Sequence, residues 1–123
     1  MSSVFLDTNC FIDVIEPRGK VWDQQLDGQV VYISALSMHV LSYVLKYKVP
    51  NEKLFAVFDA YKIVELTESL LIRAASGPTS DFEDNVQLHS AAAANCDYFL
   101  TQDKKLLKLQ YFGSVEICSK LPQ

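Results

Sequence analysis

The chain has 123 residues, half of them apolar, and a net charge of −4. That length holds one compact domain with a real core, and the composition excludes a disordered chain. No apolar run reaches membrane-spanning length, and the acidic balance argues against binding nucleic acid through the whole surface, while leaving room for a local basic rim.

The opening "MSSVFLDTN" enters an apolar segment at once, without a basic start or a small-residue cleavage site, so no signal peptide is expected. "VFL" (4–6) reads as a buried strand, and "DTN" after it as a helix cap. "CFIDVIE" (10–16) is helical, and Pro17 with Gly19 breaks it. "VWDQQL" (21–26) is a second helix and "VVYI" (30–33) a second strand. Ser34 can cap "ALSMHVLSYVLKY" (35–47), where Leu36, Val40, Leu41, Val44 and Leu45 recur at helical spacing. Pro50 opens a helix over "NEKLFAVFDAY" (51–61). "KIVEL" (62–66) is a third strand. "ESLLIRAAS" (68–76) is a helix ended by Gly77 and Pro78. A helix over 83–94 leads to a fourth strand, "DYFLT" (97–101), then a short helix, "DKKLLKL" (103–109). "SVEIC" (114–118) is a candidate fifth strand.

Short apolar strands alternating with helices predict an α/β fold whose mostly parallel sheet of four or five strands is covered on both faces. No repeat, linker or low-complexity tract divides the chain, so 1–123 reads as a single domain. Cys10, Cys96 and Cys118 are odd in number, far apart and without C-x-x-C spacing. Neither a zinc site nor a disulfide framework is indicated, and a cytoplasmic location fits.

"SDFEDN" (80–85) crowds three carboxylates, Asp81, Glu83 and Asp84, into four positions. Ser80 and Glu83 have the spacing of a capping box, and first-turn acids favour the positive end of the helix dipole. Capping accounts for Glu83 and leaves Asp84 without a reason. Ligands of such folds gather at the carboxyl ends of the strands, near the switch point in strand order. Asp7 follows the first strand, Asp103 the fourth, and Asp84 begins the helix leading into the fourth. Three carboxylates remote in sequence can therefore meet at one end of the sheet. Such a cluster suits hard divalent cations, Mg2+ or Mn2+, which activate water and stabilise charge on a phosphodiester. Asn9 and Thr101 are candidates for a polar supporting shell. Lys104, Lys105 and Lys108 are candidates for a phosphate-facing rim, although a solvated helix face is the commoner use of such a run.

"VFLDTNCFID", "ISALSMHVLSYVL" and "DFEDNVQLHSAAAANCDYFLTQDKKLL", in that order, resemble a PIN domain, and most of all the small bacterial VapC-like toxins of toxin–antitoxin pairs. The resemblance covers nearly the whole chain. It implies a three-layer α/β/α sandwich and a Mg2+- or Mn2+-dependent endoribonuclease acting on RNA. It also implies a homodimer and a small antitoxin partner. Carried over, the family's catalytic and metal-binding acids fall on Asp7, Asp84 and Asp103. Asn9 and Thr101 match supporting polar residues, and Asp81 and Glu83 match acids that act at most as outer ligands. The family's further glutamate would stand at position 40, where this chain has Val40, with no carboxylate from Ser34 to Asn51. Valine cannot hold a metal. His39 is no direct substitute, because helical neighbours point about 100° apart and imidazole suits Mg2+ poorly. His39 and His89 read as surface or interface residues.

Weakened catalysis is the consequence expected of Val40. The competing reading is an inactive PIN-like module that dimerises or binds a protein, using Tyr43, Tyr47, Phe55, Phe58 and Tyr61, although aromatics at helical spacing are more often core. A phosphoacceptor receiver fits less well, since "LDTN" lacks the acidic pair after its first strand and no lysine closes its last. A nucleotide fold lacks its glycine-rich loop.

Overall fold

The computed structural model describes residues 1–16 and 23–122. Pro17, Gly19 and the start of the 21–26 helix lie outside them. The order is β1 (Ser3–Leu6), α1 (Thr8–Ile15), α2 (Asp23–Leu26), β2 (Val30–Ser34), α3 (Ala35–Val44), α4 (Glu52–Ala60) and β3 (Lys62–Val64). Then come α5 (Glu68–Ser76), α6 (Phe82–Ala93), β4 (Tyr98–Leu100), α7 (Lys104–Leu107), β5 (Tyr111–Phe112) and β6 (Val115–Cys118). Among the described residues no helix is long and apolar enough to cross a membrane.

The sheet has six strands in the order β3-β2-β1-β4-β6-β5, where the sequence predicts four or five. The extra strand is β5, two residues long and antiparallel to β6, too short to display an alternating pattern. Every other pairing is parallel. The chain builds β1 to β3 outward in one direction and returns at β4 to the other side of β1. The switch point therefore lies between β1 and β4, with Leu6 in register with Leu100.

Strand alternation builds the three layers. Val4, Leu6, Val31, Ile33 and Leu100 face one core with Phe11 and Ile12 of α1, Leu41 of α3 and Val57 of α4. Phe5, Phe99, Val115 and Ile117 face the other with Leu88 and Ala91 of α6 and Leu106 of α7. Phe5 and Phe99 stack across the strands with centroids 5.4 Å apart. Burying each such ring contributes about 2–3 kcal/mol. Helix α5 packs on α6 through Leu70, Ala74 and Val86.

Three helix boundaries depart from the sequence reading. The 35–47 helix ends at Val44, and Lys46 turns left-handed (φ 56°) just beyond. The cap of α4 is Asn51, whose Oδ1 accepts from the N–H groups of Lys53 and Leu54, so Pro50 precedes the helix instead of opening it. The cap of α6 is Asp81, not Ser80. The aromatics depart too. Tyr43, Phe55 and Phe58 are 70%, 62% and 60% exposed. Helix α4 is anchored by Val57, and Phe55 and Phe58, three apart, share a face turned away from it.

Candidate metal centre

Asp7 follows β1 and caps α1: its Oδ1 accepts from the Cys10 N–H at 2.8 Å. Its own N–H donates to the Leu100 carbonyl at 3.1 Å, which ties it to the end of β4. The buried Thr101 hydroxyl donates to Asp7 Oδ2 and accepts from the Asp103 N–H at 3.0 Å. One hydroxyl thus couples the acid of β1 to the acid beyond β4. Asp103 caps α7, its Oδ1 accepting from the Lys105 N–H at 2.8 Å.

The third acid arrives on α6. Asp81 Oδ1 accepts from the Asp84 N–H at 2.9 Å. The predicted capping box of Ser80 and Glu83 is therefore replaced by Asp81, which accepts from the third residue of the helix. Glu83 lies in the exposed first turn, free of the capping role assigned to it. Asn85, 3% exposed, holds this turn in place. Its amide donates to the Ala74 and Thr79 carbonyls, and its Oδ1 accepts from the Thr79 N–H and hydroxyl.

A cleft of about 470 Å³ gathers these side chains. Asp7, Asp84 and Asp103 line it with Asn9 and Glu83. Asp81 and Thr101 do not: Asp81 lines an adjoining groove, and Thr101 supports Asp7 from beneath. Val40 forms part of the cleft wall, the place where the resemblance puts a glutamate. His39 is exposed and off the cleft. His89 takes a packing role, its Nε2 2.9 Å from the Gly77 carbonyl and its ring edge-on to Phe112.

The electrostatics follow from crowding. Burial pushes the Asp7 carboxyl above its usual range, against the lowering effect of the Thr101 and Cys10 hydrogen bonds. Burial, then the charges of Asp81, Asp103, Glu83 and Asp7, push Asp84 up to about 6. Among the described residues no lysine or arginine pairs with these acids; the ion pair present is Lys53–Glu16. An all-carboxylate donor set without a balancing cation suits a hard divalent ion. Among the described residues no three acidic, His or Cys side chains close into a cage by themselves. Mg2+ in general keeps several waters and takes one or two carboxylates together with substrate phosphates.

Sequence reasoning missed the floor of the cleft. Thr8 and Ser37 hydroxyls lie 3.0 Å apart, and Ser37 donates to Gln87 Oε1 at 3.4 Å. These buried polar groups join α1, α3 and α6. Gln87, 2% exposed, lines the cleft, and its Nε2 is the buried side-chain atom without a partner among the described residues. Its spacing of three from Asp84 on one helix was the available signal.

No curated protein matches the chain in sequence. In three dimensions the chain is similar to one in the crystal structure of VapBC2 from Rickettsia felis bound to a DNA fragment from their promoter. The TM-score is 0.65 at 14% identity, over 94% of this chain and 96% of that one. At that identity the likeness speaks for the fold. A family model described as the PIN domain matches residues 3–105, from the start of β1 into α7 and across all three acids. The chain therefore belongs to the PIN domain family.

Proposed function

We propose that this protein is a divalent-metal-dependent endoribonuclease of the VapC-like toxin type, acting in the cytoplasm. The observation that carries the reading is the gathering of Asp7, Asp84 and Asp103 in one cleft at the β1/β4 switch point, with no lysine or arginine paired to them among the described residues. These three acids would hold Mg2+ or Mn2+. Such an ion, when bound, would supply an activated water and charge neutralisation on the phosphodiester. The chain does the rest. Thr101 keeps Asp7 Oδ2 in one orientation, Asn9 offers an exposed amide to the RNA, and Glu83 adds negative charge at the rim. The resemblance and the fold of the VapBC2 chain support an antitoxin partner, and the resemblance a homodimer.

The test is Mn2+ calorimetry beside RNA cleavage with the same metal on the unaltered protein. Binding with cleavage is expected. Binding without cleavage favours the second reading, a PIN module that has lost catalysis and kept its contacts. Val40 in the cleft wall and the exposed Tyr43, Phe55 and Phe58 favour that reading. Absence of both rules out the metal site.

Acidity gives an independent check. A cation must displace the proton that Asp84 holds up to about pH 6. Mn2+ affinity is expected to fall by at least roughly tenfold per pH unit below 6, the Asp84 proton and that of the raised Asp7 carboxyl both opposing the ion. Titrations at successive pH values measure that slope, and a flat profile from neutrality to pH 5 would remove Asp84 from the ligand set.

A further inference from the structure

We propose that the groove beside the acidic cleft seats a second phosphate of the same nucleic-acid strand, and that Lys105, with the Ser80 hydroxyl, is the positioning residue that holds it. This rests on the nuclease reading above.

The groove, about 320 Å³, is lined by Thr79, Ser80, Asp81, Asp84, Asp103 and Lys105 among others. Asp84 and Asp103 line both spaces, so they form a shared wall and a strand crossing the acids continues directly into the groove. Lys104 and Lys105 on α7 and Lys108 at its C-cap are all exposed, yet of the three Lys105 alone lines the groove. Its backbone N–H is held by Asp103 Oδ1 at 2.8 Å, which fixes its place beside the shared wall.

A lysine near three carboxylates is most simply their counterion. Lys105 forms no ion pair with Asp81, Asp84 or Asp103, so its charge remains available to the groove. Ser80 is available for a related reason. Asp81 takes the cap of α6, and the Thr79 hydroxyl is engaged with Asn85 Oδ1. Ser80, expected to cap, is exposed and lines the groove instead. Lys105 and Ser80 thus bring an ammonium and a hydroxyl to a space lined otherwise by Thr79, Leu106 and the acids Asp81, Asp84 and Asp103. Two donors of this kind suit an anion carrying several acceptor oxygens, and a divalent ion at the shared acids Asp84 and Asp103 would offset most of the repulsion from the acidic wall, Asp81 keeping its charge. A phosphodiester next to the one at the acids meets both conditions.

The experiment uses the full chain with Mn2+. It measures binding of a short fluorescent RNA carrying phosphorothioate linkages across a salt series, with Mn2+ calorimetry and steady-state cleavage alongside. Lys105→Gln is expected to weaken RNA binding about five- to tenfold at low salt. The slope of log affinity against log salt should flatten by about 0.7, one single-strand phosphate contact. KM should rise with kcat kept, and Mn2+ affinity should stay at the parent value. Lys105→Arg should retain the slope. Lys104→Gln and Lys108→Gln change net charge equally and are expected to alter affinity less than Lys105→Gln does at about 0.15 M salt, where charges off the path of the strand are largely screened beyond about 8 Å.

Equal losses in all three glutamine variants would reduce the effect to general surface charge and overturn the proposal. So would a parental slope in Lys105→Gln, or a loss of Mn2+ binding there, which would make the lysine a partner of the acids. A parent that binds Mn2+ but not RNA, or neither, would sink the nuclease reading itself and this proposal with it.

Discussion

Asp84→Asn is expected to abolish Mn2+ uptake and RNA cleavage together, while making the metal-free protein more stable at neutral pH. The loss follows from the donor set: the amide has a similar shape but no charge, and one of three acids is gone. At least a hundredfold in Mn2+ affinity is the order expected, about 2.7 kcal/mol. The gain in stability follows from the acid's history in the fold. Its carboxyl is pushed up to about 6, by burial and by four neighbouring carboxylates, from an unfolded value of roughly 3.9. The folded state therefore binds the proton more tightly than the unfolded chain does between those values. Stability falls as pH rises through that window and stays lower above it. Asparagine removes this loss. Asp84 is partly exposed, so solvent screening cuts the effect to on the order of 1 kcal/mol, or a few degrees in Tm. Thermal melts at pH 7 and pH 4 should show the two proteins apart at the first and together at the second. A variant that still cuts RNA at the parental rate would mean that the acids gathered in the cleft are not the reactive ones.

Val40→Glu is expected to work in the opposite direction. The side chain leaves α3 into the wall of the same cleft that holds Asp7 and Asp84, so a carboxylate there becomes a fourth oxygen donor. Mn2+ affinity should rise tenfold or more, since charge count in the site sets the affinity for hard cations, and cleavage should rise with it. The metal-free protein should lose about 1 kcal/mol to added repulsion. Gln87, whose Nε2 has no partner among the described residues, lines the same cleft and is a donor for the new carboxylate that offsets part of that loss. Calorimetry with a melting series with and without Mn2+ measures both signs. Unchanged Mn2+ affinity would show that the wall at position 40 lies beyond reach of the bound ion.

The cluster at 81–84 illustrates what each level of structure contributed. The residues fixed that a helix begins there, that acids crowd its first turn, and that one of them lacked a local reason. They did not fix which residue caps. Ser80 and Asp81 are adjacent, and either can accept from the first turn. Asn85 decides it by pinning the Thr79 backbone, which brings Asp81 to the cap and leaves Ser80 facing the groove. The exposure of Phe55 and Phe58 was likewise undetermined, because helical spacing groups residues on a face without saying which face meets the sheet.

The sequence by itself determined the alternation of strands and helices, the parallel sheet, and the three acids with their positions at element ends. Those features are written in local patterns, in the period of apolar residues and in where each run stops. Only the tertiary structure decided that β4 returns beside β1 and so brings Asp7 within reach of the Thr101 hydroxyl. Only there do Val40 and Gln87 reach the cleft wall, and only there does one lysine of three line the groove. Each of these depends on segments far apart in the chain, such as Asp7 and Thr101, 94 residues apart, or Thr79 and Lys105, which no local period encodes.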